Sequence, residues 1–341
     1  MEDGQVSILC RQASDIVART RTAMARRLIG KSDMVDAILT AVMSDGHLLL
    51  EGVPGLAKTL AVRAFASAAG LSYKRIQFTP DLLPGDITGT LFYDAASGRF
   101  VPREGPIFAN IVLADEINRA PAKVQSALLE AMEERQVTMG EGSLPLPTPF
   151  FVLATQNPIE HEGTFRLPEA QLDRFMLKVI VGYPDAAEEL EVTLKYAVPP
   201  AGSATGSATS TPEAPALSAG DLAVLKSAAA SVRFEREAAD YAVAIVRATR
   251  PTRDARDEPQ ALRELARYIE FGASPRGSIA LYRASRAAAL LAGRDYVLPD
   301  DIKRSAPAVL RHRIIPSYEA DADRVTSDAI IKGILSAIPV P

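Results

Sequence analysis

The chain has 341 residues, 48% of them hydrophobic, which is enough apolar material to build the cores of two domains. Its 38 lysines and arginines against 42 aspartates and glutamates give a net charge of −4, which is not the electrostatic footprint of a nucleic-acid-binding protein. The single cysteine, Cys10, excludes an internal disulfide framework, and no apolar run approaches the roughly 18 residues of a membrane span.

The amino-terminal segment is predicted to be helical from Val6 to Met24. The first four residues include two acidic side chains where a signal peptide would be basic, so we expect a cytoplasmic protein. From His47 to Val181, short apolar runs alternate with helical patterns. This alternation predicts an α/β fold with a parallel, doubly wound sheet.

The first apolar run leads through a turn containing glycine and proline into a helix that begins with Lys58 and Thr59. Gly52 and Gly55 let the backbone turn tightly with its N–H groups inward, and the helix N-terminus favours an anion. Lys58 is placed to reach the phosphates of a nucleoside triphosphate, and the Thr59 hydroxyl to bind Mg²⁺. Ala57 replaces the second glycine of the general pattern, which its methyl group permits where the local φ is helical. The alternative is a strand-turn-helix connection with a chance Lys-Thr pair.

A second apolar run, residues 111–114, delivers two carboxylates, Asp115 and Glu116, at its carboxyl end. Ligands bind at that edge of open α/β sheets. Asp115 is placed to hold Mg²⁺ through water, and Glu116 to act as the general base on the attacking water. A solvated acidic pair closing a strand is the alternative interpretation.

A third apolar run, residues 150–155, brings the amide of Asn157 to the same edge, where it could bond the γ-phosphate or the water, although Asn-Pro also marks ordinary turns. Arg174 precedes a predicted strand over residues 176–181 and could reach the nucleotide of a neighbouring subunit. Arg166 and Arg119 are competing candidates for that role, and a surface salt bridge is the alternative. The histidines, His47, His161 and His312, are too dispersed in sequence for a metal motif, and we interpret them as ordinary surface or core residues.

Four segments, in this order, resemble the successive motifs of the MoxR family of AAA+ ATPases. They read GVPGLAKT at 52–59, LADEINRAP at 113–121, ATQNP at 154–158 and LPEAQLDRF at 167–175. The resemblance extends from about Leu28 to Ile314, and an alanine at the position of Ala57 is usual in the family. His161 and Arg166 differ from the residues expected after the third motif. The resemblance implies ATP and Mg²⁺ as ligands.

The resemblance assigns roles to individual residues. Nucleotide binding falls to Gly30, Gly52, Val53, Pro54, Gly55, Leu56, Ala57, Lys58, Thr59 and Leu60, and magnesium binding to Thr59 and Asp115. Catalytic roles fall to Glu116, Asn157 as sensor 1, Arg174 as arginine finger and Arg276 as sensor 2. The last of these rests on the segment 272–277, GASPRG, and implies that Arg276 contacts the γ-phosphate in its own subunit.

Two insertions interrupt the alternation of strands and helices, at residues 79–100 and 136–149, where turn residues separate short β-like runs. The resemblance implies that these are hairpins facing the central pore of a ring. We expect the first hairpin to move with nucleotide state and to contact the client protein.

A low-complexity segment divides the chain into a nucleotide-binding core over residues 1–198, a flexible linker over 199–216 and a helical lid over 217–341. In the lid, helices are predicted over 222–232, 238–249 and 279–291, with a capping box at 218–221 and a further helix opening at 298–302. Because the lid carries Arg276, we expect its orientation to respond to the γ-phosphate.

The sequence is therefore interpreted as an ATP-hydrolysing, ring-forming, chaperone-like remodeller of other proteins, with six subunits expected. The resemblance implies partners with von Willebrand factor A domains and roles that include metal insertion. The alternatives are a magnesium-chelatase-like motor subunit and a nucleotide-gated scaffold with little turnover. A nucleic-acid helicase is a third alternative, which the net charge disfavours.

Overall fold

The computed structural model describes residues 3–53, 55–140, 142–158, 164–165, 167–197, 216–251 and 259–341. Pro54, His161, Arg166 and residues 199–215 of the expected linker lie outside this part of the chain. The strands are β1 Leu48–Glu51, β2 Tyr73–Gln77, β3 Gly89–Asp94, β4 Arg99–Glu104, β5 Ile111–Asp115, β6 Gln136–Met139, β7 Gly142–Pro145, β8 Phe151–Gln156, β9 Leu177–Ile180, β10 Ile269–Phe271 and β11 Ile315–Pro316.

The helices, in chain order, are α1 Asp3–Ala25, α2 Ser32–Met43, α3 Lys58–Ala69, α4 Pro84–Thr88, α5 Ala122–Glu134, α6 Glu169–Leu172, α7 Ala186–Tyr196, α8 Ala219–Ser231, α9 Arg236–Ala248, α10 Gln260–Ala266, α11 Pro275–Leu291, α12 Pro299–Leu310, α13 Tyr318–Ala322 and α14 Ser327–Ala337. Within the described residues, none of these helices combines the length and the apolar character that crossing a bilayer requires.

The core is a five-stranded sheet in the order β2-β5-β8-β1-β9, and all of its strand pairs are parallel. Strands β1, β5 and β8 are buried along nearly their whole length, which is why they appear in the sequence as continuous apolar runs. Because the strands are parallel, their carboxyl ends share one edge, which we call the strand-end edge. The opposite edge is the strand-start edge. The expected parallel, doubly wound α/β fold is confirmed.

The sheet separates two apolar cores, because successive side chains of a strand point to opposite faces. Leu49, Val112 and Val152 face one core, which contains Val124, Leu128 and Met132 of α5. Leu48, Leu113 and Leu153 face the other core, which contains α1, α2 and α3 and continues without a break into the carboxyl-terminal helices. The lid and the sheet therefore share one apolar core.

The lid is formed by α8 to α14 and is helical as expected, with one addition. Strands β10 and β11 form a short antiparallel pair that the sequence does not predict, because three and two residues carry too little periodicity. The capping box is confirmed at the start of α8, where the Ser218 hydroxyl accepts from the Asp221 N–H at 3.1 Å.

Both insertions contain antiparallel hairpins, β3–β4 and β6–β7. The first insertion also contains the short helix α4, which buries Ile87 and precedes the hairpin. Hairpin β3–β4 exposes large apolar side chains on both of its faces, namely Leu91, Phe92, Tyr93, Phe100 and Val101.

Candidate functional site

The phosphate loop joins β1 to α3 at the strand-end edge. A side chain at Gly52 would place its Cβ 2.7 Å from the Val181 carbonyl oxygen, so the loop requires glycine where it passes close to β9. Gly55 has φ of +85°, and nothing lies within 4 Å of the place where its Cβ would be. The backbone beside Gly55 is therefore open enough to receive a phosphate group.

Ala57, immediately before α3, departs from our expectation of ordinary helical backbone. Its φ of 57° and ψ of 17° are left-handed, so the chain adopts a glycine-like conformation here with an alanine. The left-handed conformation costs a non-glycine residue roughly 1–2 kcal/mol. Ala57 therefore has the backbone conformation that suits the second glycine of the general phosphate-loop pattern, and α3 begins directly after it at Lys58.

Lys58 is half-buried, and its ammonium group donates a hydrogen bond to the Gly52 carbonyl oxygen across the loop. Burial lowers the pKa of Lys58 from its ordinary value, while the nearby Asp115, Glu116 and Glu51 carboxylates oppose the shift. Lys58 therefore bridges the two ends of the phosphate loop, and its ammonium group is attracted by the carboxylates at the end of β5.

Asp115 ends β5 and is 8% exposed. Its Oδ1 accepts a hydrogen bond from the Thr155 hydroxyl at 2.5 Å, and its Oδ2 accepts one from the Thr59 hydroxyl at 3.3 Å. The structure thus brings Thr59 and Asp115 together, as the sequence predicts. Arg75 also reaches Oδ2, with distances of 2.7 Å from Nη2 and 3.0 Å from Nε.

Glu116 has φ of 56°, and its N–H donates to the Thr155 hydroxyl oxygen at 2.8 Å. Its carboxylate Oε2 accepts from Gln77 Nε2 at 2.7 Å and from Arg119 Nη1 at 3.1 Å. Arg119, a competing candidate for the arginine finger, thus contacts the proposed general base of its own chain. The carboxylate is held by side chains from both β2 and the turn after β5.

Sequence reasoning missed three residues of this network: Arg75, Gln77 and Thr155. Arg75 and Gln77 lie on the same face of β2, an edge strand whose polar side chains have the pattern of a solvated surface. In the β2–β5 pairing, Gln77 lies opposite Asp115, which places β2 side chains beside both carboxylates. Alternating polar residues near the end of β2 were the signal for Arg75 and Gln77, whereas Thr155 lies within the apolar run of β8 and had no such signal.

Asn157 follows β8 at the strand-end edge and is buried, and its carbonyl oxygen accepts from Asn118 Nδ2 at 3.3 Å. With Glu51, Lys178 and Arg311 it lines a cavity of about 420 Å³ between the sheet and the lid. The structure therefore brings the predicted sensor 1 residue to the same edge as Asp115 and Glu116.

Gly30 and Leu60 complete the predicted nucleotide contacts. Gly30 has φ of 63° and lies beneath the Glu188 carboxylate, with which any Cβ would overlap. It lines a cavity of about 200 Å³ with Lys31 and Val35. Leu60 lies in the first turn of α3 and packs against the core shared with the lid.

Arg174 and Arg276 lie at the opposite edge of the sheet. Both bind the Glu133 carboxylate, with distances of 2.9 Å from Arg174 Nε and 2.5 Å from Arg276 Nη2. They line a cavity of about 340 Å³ together with His47, which directly precedes β1. A four-residue strand at roughly 3.3 Å per residue puts this cluster about 13 Å or more from the phosphate loop of the same chain.

The expectation that Arg276 reaches its own subunit's nucleotide therefore disagrees with this geometry. The reason is the way the lid docks. The Ser274 hydroxyl, which caps α11, donates to Asp173 Oδ2 at 3.0 Å. Arg313, itself buried, binds Asp173 Oδ1 at 2.7 Å and the Phe175 carbonyl oxygen at 2.7 Å. These contacts fix the start of α11 to the segment that leads into β9, at the strand-start edge.

The residues present fit a magnesium–nucleotide complex. Thr59 and Asp115 supply hard oxygen ligands 3.3 Å apart, the donors that Mg²⁺ prefers when it keeps most of its waters. The open backbone at Gly55, the ammonium of Lys58 and the N-terminus of α3 supply the positive side of a phosphate site.

Comparison with known proteins agrees with this geometry. Residues 47–177 match the ATPase family associated with various cellular activities (AAA), and residues 263–334 match the AAA lid domain. The chain is 46% identical over 317 residues to Chaperone MoxR1 of Mycobacterium tuberculosis, covering 93% of this chain and 80% of that protein.

The similarity to two further relatives extends over almost their whole length. The chain is 46% identical over 317 residues to the uncharacterized protein YeaC of Bacillus subtilis, covering 93% of this chain and 92% of YeaC. It is 30% identical over 340 residues to Protein MoxR of Methylorubrum extorquens, with 96% of each chain covered.

A crystal structure of a protein from Cytophaga hutchinsonii, provisionally named an ATPase, superposes with a TM-score of 0.88. It is 41% identical in sequence, with 100% of this chain and 99% of that chain covered. The carboxylate and phosphate-loop geometry, the lid and these relatives agree, and the chain belongs to the MoxR family of AAA+ ATPases.

Proposed function

We propose that this chain hydrolyses ATP with Mg²⁺ at the strand-end edge and uses the energy to remodel partner proteins. The observation that carries the proposal is the convergence of Lys58, Thr59, Asp115 and Glu116 around one glycine-lined loop. Family membership supports the same activity. We place the activity in the cytoplasm, where ATP is supplied.

The loop backbone from Gly52 to Ala57 and the Lys58 ammonium bind and orient the phosphates. Thr59 and Asp115 would hold Mg²⁺, which supplies positive charge to the phosphates when bound. Thr155 orients the Asp115 carboxylate by its hydrogen bond to Oδ1. The metal ligand is thereby fixed before nucleotide arrives, which reduces the reorganisation needed on binding.

Glu116 is the general base that takes a proton from the attacking water. In this structure its Oε2 accepts hydrogen bonds from Gln77 and Arg119. To accept a proton from water, the Glu116 carboxylate must either rotate away from these two donors or use an oxygen lone pair that they leave open. Asn157, which follows the adjacent strand β8, positions the water or the γ-phosphate from the other side of the site.

We propose that Arg174 and Arg276 act on the nucleotide of a neighbouring chain. Both lie at the strand-start edge of their own chain, away from its phosphate loop. A head-to-tail arrangement places this edge of one subunit against the strand-end edge of the next, and repeating it closes a ring. Six subunits are the number that we propose.

The client is proposed to be a protein, because a relative at 46% identity is named a chaperone. Metal insertion and von Willebrand factor A partners belong to the same proposal. Hairpin β3–β4 is the proposed client contact, because its apolar side chains are exposed on both faces: Phe92 is 59% and Phe100 67% exposed. Exposed apolar clusters of this kind mark protein-binding surfaces.

The test of the activity is Glu116→Gln. The isosteric amide cannot accept the water proton, so we expect ATP binding and assembly to persist while phosphate release falls by about 10²-fold or more. Phosphate release and binding of a fluorescent ATP analogue are measured in parallel, with Lys58→Ala as the variant that loses binding. Turnover at the parent rate in Glu116→Gln would remove this residue as the base, and no turnover by the parent chain would contradict the proposal.

The test of the client contact replaces Phe92, Tyr93 and Phe100 together by serine. These side chains are exposed, so basal ATP hydrolysis should remain while protection of a thermally unfolded reporter protein against aggregation is lost. Tyr318→Ser, at another exposed aromatic, is the matched control. Loss of all ATP hydrolysis with the fold intact would instead make the hairpin part of the catalytic core.

A further inference from the structure

Helix α7 carries an apolar ridge that nothing in the described chain covers. Leu190 is 59% exposed and Leu194 is 69% exposed, although a helix on the surface of a monomer normally turns such residues inward. They lie four residues apart and so share one face, with Glu191 beside them. We call Leu190, Glu191 and Leu194 the α7 ridge.

The α7 ridge belongs to the strand-end edge. The helix follows β9 directly, and the Val181 N–H donates to the Glu51 carbonyl oxygen at 2.7 Å. Lys31 donates to the Gly182 carbonyl oxygen at 3.2 Å, and Glu188 covers Gly30. The ridge is therefore attached to the side of the molecule that holds the phosphate loop.

A groove of matching chemistry lies along α11. It is a cavity of about 550 Å³ with apolar walls from α2, α8 and α11. We call it the α11 groove and define it by Met43, Ala229, Ile279, Tyr282, Arg283 and Arg286. Ile279 is 53% exposed at its rim, and the Arg286 guanidinium lies 4.6 Å over the Tyr282 ring.

The α11 groove is continuous with the arginine cluster at the strand-start edge. The cavity that contains Arg174 and Arg276 shares Ile279 and Arg283 with it. Helix α11 begins with Arg276 in its first turn and carries the groove in the following turns. Any subunit that presents Arg276 to a neighbour's nucleotide therefore presents this groove beside it.

The two surfaces are complementary in charge. Helix α7 contains three glutamates and one lysine, whereas α11 contains three arginines and no acidic residue. Within the described residues, Arg283 and Glu191 have no ion-pair partner in their own chain. The apolar ridge with the Glu191 carboxylate thus matches the apolar groove with the Arg283 and Arg286 guanidinium groups. The acidic residue of the groove lining, Asp45, is already paired with Lys226.

We infer that the α7 ridge of one chain docks in the α11 groove of a second copy of the same chain. The contact is heterologous, because the ridge and the groove are different surfaces, and it therefore propagates from subunit to subunit. This inference rests on the proposed function, since it gives the contact that brings Arg174 and Arg276 to a neighbour's phosphate loop. It also assigns a role in assembly to apolar residues that take no part in catalysis.

The experiment uses the full chain carrying Glu116→Gln with ATP and Mg²⁺, and sedimentation velocity measures assembly. Leu194→Asp damages the ridge and Arg283→Glu damages the groove, and each should raise the concentration needed for assembly by about tenfold or more. Val243→Asp on α9 and Arg304→Glu on α12 change exposed residues of the same types outside both surfaces and should assemble like the parent. Circular dichroism and thermal unfolding check that every variant folds.

Mixing the two damaged chains tests the pairing itself. A Leu194→Asp chain keeps its groove and an Arg283→Glu chain keeps its ridge, so an equimolar mixture should form a complex of two chains and nothing larger. A mixture that stays as single chains would overturn the pairing, as would either variant assembling like the parent. Failure of the parent chain itself to assemble would overturn the proposed ring, which distinguishes the two failures.

Discussion

The two edges of the central sheet differ in what they carry. The strand-end edge holds a phosphate loop and two carboxylates, with Arg75 and Arg119 already bonded to those carboxylates. The strand-start edge holds Arg174 and Arg276, which share the single carboxylate of Glu133. One edge therefore has residues that fit a magnesium–nucleotide complex, and the other carries an excess of positive charge.

Under the proposed function, one chain does not contain a whole catalytic site. Stabilising the charge that builds up on a transferred phosphoryl group requires cations placed against it. In one chain, the length of the strands separates Arg174 and Arg276 from the strand-end edge. We therefore propose that the two edges are joined between chains.

Removing either arginine of the strand-start edge tests the proposed action between chains. Arg174→Ala and Arg276→Ala should each lower the rate of ATP hydrolysis by about 10³-fold, the effect expected of an arginine finger. Equimolar mixing of either variant with Glu116→Gln chains should restore phosphate release, because some interfaces then pair an intact arginine with an intact Glu116. An arginine acting within its own chain gives no such rescue, since every site then lacks either the arginine or the base. Absence of rescue although mixed rings form would contradict action between chains.

Removing Arg75 tests how the strand-end edge binds Mg²⁺. Arg75 binds the oxygen of Asp115 that Thr59 also contacts, so its guanidinium competes with Mg²⁺ for that carboxylate. In the Glu116→Gln chain, Arg75→Ala should lower the Mg²⁺ concentration that supports half-maximal binding of a fluorescent ATP analogue by about two- to fivefold. Arg103→Ala, on the exposed strand β4, is the control. A higher Mg²⁺ requirement in Arg75→Ala would show instead that the arginine supports the nucleotide.

His47, which precedes β1 at the strand-start edge, makes the free energy of unfolding depend on pH. The Val152 N–H donates to its Nδ1 at 3.0 Å, so Nε2 carries the proton and donates to the Met132 carbonyl oxygen. Burial, with a contribution from Arg135, lowers the pKa of His47 from 6.5 to about 3. Below pH 6.5 His47 is therefore protonated in the unfolded chain but not in the folded chain. As the pH decreases from 6.5 to about 3, the free energy of unfolding decreases with it.

Between pH 7.5 and 5 this histidine should account for a loss of about 2 kcal/mol in the free energy of unfolding. His47→Gln, which keeps one donor and one acceptor, should reduce the pH dependence by that amount in urea unfolding measured at several pH values. Equal pH dependence in the parent and in His47→Gln would show that the folded protein protonates this histidine readily.

Much of the strand-end edge could be predicted from the sequence, because each motif directly follows a fully buried strand. Continuous apolar runs locate β1, β5 and β8, and in a parallel sheet their carboxyl ends meet, which brings Thr59, Asp115, Glu116 and Asn157 to one edge. The local pattern alone carries that information.

The remainder could not be predicted because it depends on contacts between residues distant in sequence. The place of Arg276 is fixed by Ser274 and Arg313 binding Asp173, more than one hundred residues away. The contacts of Arg75 and Gln77 depend on which strand neighbours β5 and in what register. The left-handed backbone of Ala57 was missed because alanine normally avoids that conformation.

The unbroken apolar core between the sheet and the lid has a mechanical consequence. Helices α8 and α11 pack on α1 and α2 within the same cluster as Leu48 and Leu153, and the side chain of Arg313 is only 3% exposed where it joins the lid to the entrance of β9. Swinging the lid against the sheet would open that cluster to water, at about 25 cal/mol for each Å² uncovered. We therefore expect the lid and the sheet of each chain to move as one rigid body, so that ATP turnover in the proposed ring changes the contacts between subunits.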